Sequence, residues 1–90
     1  MEQSRPTIVH LRRIDPSQNM SRFYSLEMQP TLFGEVSVIR HWGRIGSSGQ
    51  TMHEPFDSQE DAARKFSHLR QVKIRKGYCR AEKKGSDYTA

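Results

Sequence analysis

The sequence predicts an α+β domain, a small four-stranded antiparallel meander with one C-terminal helix packed on one face. Three observations predict it. The chain up to Pro55 holds four short runs of β-branched or alternating apolar residues. The connections between them are short and rich in turn formers, so neighbouring strands should return antiparallel. After Pro55 the apolar period lengthens from that of a strand to that of an amphipathic helix.

Thr7-Ile8-Val9-His10-Leu11-Arg12-Arg13-Ile14 is rich in β-branched residues and reads as the first strand. Asp15-Pro16-Ser17-Gln18-Asn19 is a turn, with Pro16 fixing φ and Asp15 able to bond its own backbone. Arg22 to Gln29 alternates, placing Tyr24, Leu26 and Met28 on one face. Pro30-Thr31-Leu32-Phe33-Gly34 ends that run, and Glu35 to Ile45 is the third strand, with Val36 and Val38 opposite Ile39 and Trp42 near the end. Gly46-Ser47-Ser48-Gly49 turns the chain into a weaker fourth strand, Gln50 to Glu54, closed by Pro55.

The helix is expected over residues 58–76. Ser58 is a good N-cap, and Asp61 three positions on resembles a capping-box acid. Acidic Glu60 and Asp61 in the first turn and basic Lys73, Arg75 and Lys76 in the last suit the helix dipole. Ala62, Phe66, Leu69 and the stem of Lys73 form one stripe. Gly77 is the expected residue just past the end. Residues 1–6 should be a flexible N-terminus, residues 7–78 the domain, and residues 79–90 a basic mobile tail.

Ninety residues fit one domain, and 33% apolar against 28% charged residues is polar but too varied for full disorder. A single cysteine, Cys79, forbids an internal disulfide, and His10, His41, His53 and His68 lack metal-ligand spacing, so no metal or cofactor is expected. No apolar run approaches a membrane span or a secretion signal. These features predict a soluble, cytoplasmic protein in a reducing compartment.

The charge distribution is more informative than the net +5. Residues 64–84 carry Arg64, Lys65, Arg70, Lys73, Arg75, Lys76, Arg80, Lys83 and Lys84 against Glu82 alone. Such a field either attracts a polyanion or is merely a solvated helix face. Within the third strand, Trp42-Gly43-Arg44 joins a flat ring able to stack on a sugar or base to a guanidinium able to grip phosphate, with Gly43 keeping the backbone approachable. The alternative is Trp42 in the core and Arg44 on the surface.

The run Asn19-Met20, Arg22-Phe23-Tyr24, Gln29 to Glu35, His41-Trp42-Gly43-Arg44-Ile45-Gly46 and Gly49-Gln50 resembles a WGR domain. Ala62-Ala63, Phe66, Leu69, Lys73 and Lys76-Gly77-Tyr78 fit the helix of that family and its exit, so the likeness covers roughly residues 7–78. It is similar to short bacterial proteins consisting of little else, and to the domain within poly(ADP-ribose) polymerases that helps recognise DNA breaks. The resemblance implies that Trp42 packs on the sugar at a DNA 5′ end, that Arg44 contacts nucleic acid, and that Lys73, seven positions after Phe66, touches the DNA backbone. Arg75 and Lys76 join this set by charge alone. Two positions depart from the pattern: His41 stands where relatives often have Arg or Glu, making any backbone contact there pH-dependent, and Val36 where an aromatic is common.

No catalytic residue is expected. Glu54 and Asp57 have no evident partner, Cys79 has no histidine placed to activate it, and Ser47-Ser48-Gly49 is not a phosphate-cradling loop. Phe23 and Tyr24 lack the spacing of RNA-binding sheets. The expected function is a non-enzymatic nucleic-acid-binding module, for DNA more than RNA, reading backbone at ends or nicks with little sequence specificity. The alternative is a module docking a separately encoded protein, which Leu32 and Phe33 would serve. No membrane and no small-molecule substrate are expected as partners.

Overall fold

The computed structural model describes residues 7–31 and 33–81. Along the chain run β1 (Thr7–Asp15), a 3-10 turn (Pro16–Gln18), β2 (Met20–Pro30), β3 (Val36–Arg44), β4 (Gln50–Phe56), α1 (Gln59–Arg75) and β5 (Cys79–Arg80). The sheet is antiparallel throughout, in the order β4-β3-β2-β1-β5. It therefore has five strands rather than four, within the expected α+β class.

The fifth strand follows from how α1 ends. Gly77, at φ +99, bends the chain back in a left-handed conformation that a side chain would resist. The Gly77 and Tyr78 amides donate to the carbonyls of Ile74 and Lys73, the paired bonds of a Schellman cap. The reversed chain meets the free edge of β1, where Arg80 lies opposite Leu11 and the Ala81 amide donates to His10 at 2.8 Å. The ordered chain thus runs past residue 78. The expected flexible N-terminus, residues 1–6, and the tail from residue 82 lie outside the described residues.

At its other end α1 is capped as its sequence predicts, with the Asp61 amide donating to Ser58 Oγ at 3.1 Å. The inward stripe also holds: Ala62 and Phe66 are buried, and Leu69 packs beside them. Against them stand Val9 and Leu11 of β1, Tyr24 and Leu26 of β2, and Val38 of β3. Leu26 and Val38 are fully enclosed, each contributing about 1.5–3 kcal/mol of burial. Pro55 does not close β4 but lies within it. This is tolerated because β4 is an edge strand, where a missing N–H leaves no ladder partner unsatisfied. Among the described residues no helix is long and apolar enough to cross a membrane.

Candidate nucleic-acid interface

Strand register decides which side chains share the helix-bearing face. Leu11, Tyr24 and Trp42 lie directly opposite one another on β1, β2 and β3. Because side chains alternate along a strand, the residues two positions on share that face. They are Arg13, Arg22 and Arg44, which are themselves opposite one another. Three arginines therefore stand in a cross-strand row, spanning about 10 Å from the outer two strands at ordinary spacing. The row lies beside the Leu11–Tyr24–Trp42 row.

Each arginine is positioned by its surroundings. The Arg44 guanidinium reaches toward the β1–β2 turn, donating to the Asn19 carbonyl at 3.3 Å, with the Asn19 amide oxygen at 3.5 Å. Asn19 takes the left-handed conformation, φ 52, that asparagine tolerates. Arg13 runs under the end of α1, with its Nε 3.1 Å from where a Cβ on Gly77 would lie. Arg22 sits between them and near enough to Lys73 to repel it.

Lys73 completes the surface from the helix. Its Nζ lies 4.7 Å from the centre of the Tyr24 ring and 5.2 Å from that of Tyr78, a double cation–π contact. The two rings meet edge-on at 6.2 Å. Burial holds the Lys73 pKa below the usual lysine value, and repulsion from Lys76, Arg22 and Arg40 lowers it further. Burial likewise raises the Tyr24 pKa, against the opposing pull of Arg40. Among the described residues no carboxylate comes within ion-pair distance of Arg13, Arg22, Arg44, Lys73 or Lys76. The carboxylates of Glu54 and Asp61 pair elsewhere, with Arg40, Lys65 and Arg64.

Trp42 is half-buried and packs against the core without being enclosed by it.

Two of the sequence-predicted site residues stand apart. His41 precedes Trp42 and so faces the side of the sheet without the helix, in line with His10, Ser25 and Thr51. Its Nε2 must donate to the Ser48 carbonyl, 2.7 Å away, because a carbonyl can only accept. Its ring also meets Phe23 edge-on at 5.0 Å. Arg75 points to the other flank of α1, beside Arg70 and Arg80. Conversely, Arg13 and Arg22 belong to the basic row although no local motif marks them as site residues. Their signal was the register of the β1–β2 hairpin, which its turn length sets. Of the apolar pair expected to serve a protein partner, Phe33 is 86% exposed and Leu32 lies outside the described residues.

The profile of the WGR domain family matches residues 7–86. The chain belongs to the WGR family. A curated relative, Uncharacterized protein y4dW of Sinorhizobium fredii (strain NBRC 101917 / NGR234), is 44% identical over 75 residues. That match covers 83% of this chain and 37% of the relative, so the chain spans little more than a third of that protein's length. WGR domains are modules associated with nucleic-acid binding in proteins related to poly(ADP-ribose) polymerases, and a WGR domain is not by itself a catalytic domain. The WGR triplet of this domain is Trp42-Gly43-Arg44, placed where β3 leaves the sheet beside the basic row.

Proposed function

We propose that this WGR domain is a non-enzymatic nucleic-acid-binding module that engages DNA, at ends or nicks, through its sugar-phosphate backbone. The reading rests on one observation above all: the Arg13–Arg22–Arg44 row lies beside half-buried Trp42 and ring-held Lys73, with no carboxylate partner among the described residues. Guanidinium forks suit phosphate oxygens, and an indole that the core does not enclose suits a terminal sugar or base that lacks a stacking neighbour. Lys76 adds charge at the helix end. His41 and Arg75 fall outside this assignment because they face elsewhere.

Preference for an end or nick follows from Trp42, since the interior of a duplex offers no unstacked sugar or base. Little sequence specificity follows from the short supply of side chains able to reach base edges. The test measures anisotropy with labelled blunt, 5′-phosphorylated and nicked duplexes, with closed circular DNA as competitor, at two salt concentrations. Tight binding to ended or nicked DNA that weakens steeply with salt is the expected result. Absent or salt-insensitive binding, or full competition by closed circles, would overturn it.

A further inference from the structure

A groove of about 270 Å³ opens on the flank of α1 away from Trp42, between the helix and the β1–β5 edge of the sheet. Val9, Leu11 and Ile74 give it an aliphatic floor, and Arg70, Arg75 and Arg80 stand around it. Ile74 is 51% exposed, unusual for a large apolar residue on the only long helix among the described elements. Among the described residues no acidic side chain lines the groove, and no carboxylate lies within ion-pair distance of Arg70 or Arg75.

We propose that this groove docks a partner protein through an acidic segment that carries one large apolar side chain. Charge and shape together select that occupant. The volume accepts one large side chain, whose burial would also cover Ile74. Arg70 and Arg75 match carboxylates flanking such an anchor, in the bidentate geometry that guanidinium favours. Nucleic acid fits less well, because among the described residues the lining offers no aromatic ring on which a base could stack. A helix separates this groove from the Trp42 face, so both sites can be filled together. The domain would then hold nucleic acid on one flank and an acidic partner on the other.

The test titrates the full chain with a short synthetic peptide, a leucine set among aspartates and glutamates, and follows side-chain methyl signals by NMR. One control peptide replaces the leucine with serine, and another replaces the acids with lysine. The acidic leucine peptide is expected to shift the methyl signals of Val9, Leu11 and Ile74 and to bind about tenfold more tightly than either control. Arg70→Glu with Arg75→Glu, and separately Ile74→Asp, should each weaken it by about tenfold, while Arg22→Glu should leave it nearly unchanged. Four results would overturn the proposal. They are no binding, equal binding of the serine peptide, displacement of the peptide by a short DNA duplex that shifts the same methyls, and much tighter binding by a chain ending at Ala81. The last would make residues 82–90 the groove's own occupant. Only the DNA displacement bears on where nucleic acid binds; the other three outcomes concern the groove alone.

Discussion

The backbone of Gly49 lies against that of Gly43: a Cβ on Gly43 would meet the Gly49 Cα at 2.8 Å. That approach folds the Ile45–Gly49 loop back over the end of β3, where the Ser48 carbonyl is also held by His41. Gly43 itself has no positive φ, so its place in the Trp42-Gly43-Arg44 triplet reflects space and not backbone conformation. Gly49 needs both, since its φ is +72 and a side chain there would press on the Trp42 carbonyl and the Phe23 ring.

Gly49→Ala and Gly43→Ala are accordingly expected to destabilise the domain by about 2–3 kcal/mol each, through steric strain at the end of β3. Trp42 is the single tryptophan of the chain, so its emission reports directly on the displaced segment. Urea denaturation gives the stability, and the emission maximum in the native baseline gives the displacement. A Gly43→Ala protein with an unchanged midpoint and spectrum would show that the loop can move aside freely.

The three-arginine row yields a separable expectation for binding. Arg22 and Arg44 are exposed and lie outside the buried core, so Arg22→Ala and Arg44→Ala should change stability by no more than about 0.5 kcal/mol. Each should weaken DNA binding at all sequences alike and reduce the slope of log affinity against log salt by about one. Arg75→Ala should leave that slope nearly unaltered, because Arg75 faces the opposite flank. Equal slopes for all three variants would mean that a diffuse charge, not the row, attracts the DNA.

The parts of this molecule legible in the sequence are those fixed by local pattern. Ser58 and Gly77 mark the helix ends through backbone geometry that few residues supply, and the Ala62–Phe66–Leu69 stripe declares its inward face. Parity along a strand also separates His41 from Trp42 and Arg44, since adjacent side chains face opposite ways, so closeness in the chain does not place them on one surface. The arginine row was harder to read, because it depends on the register of two successive hairpins. The β5 strand and the groove beside it depend on where the chain goes after α1. Cys79–Arg80 has no strand pattern of its own and pairs because β1 presents a free edge.

Ser58 offers a test of the helix alone. Its hydroxyl accepts the Asp61 amide, and Ser58→Ala leaves that donor without a side-chain partner. The expected loss is about 1 kcal/mol, and Ser58→Asp should retain most of the stability by accepting the same bond and favouring the helix dipole. Thermal denaturation followed by circular dichroism checks both. Since the cap lies at the far end of α1 from Lys73, DNA affinity below the melting transition should be unchanged in both variants.

Lys73 links stability to pH in a direction that its surroundings determine. Burial and the nearby Lys76, Arg22 and Arg40 charges lower its pKa in the folded protein, so the unfolded chain holds that proton more tightly. The penalty is fully present below the folded pKa and is relieved as pH rises toward the unfolded value of 10.5. Tyr24 acts oppositely: its raised pKa keeps its contribution intact below 10.0 and loses it only as pH climbs through the folded value. A comparison with Lys73→Met cancels the Tyr24 contribution, which both proteins share. The wild type should therefore gain stability relative to Lys73→Met as pH is raised from about 8 to about 10, read as the difference between their urea midpoints. Bound phosphate would reverse the penalty by supplying the missing counter-charge, so the same substitution should weaken DNA binding most where Lys73 is still protonated. A midpoint difference that stays flat or moves toward Lys73→Met would show that neither burial nor the cations around Lys73 lower its pKa in the folded state.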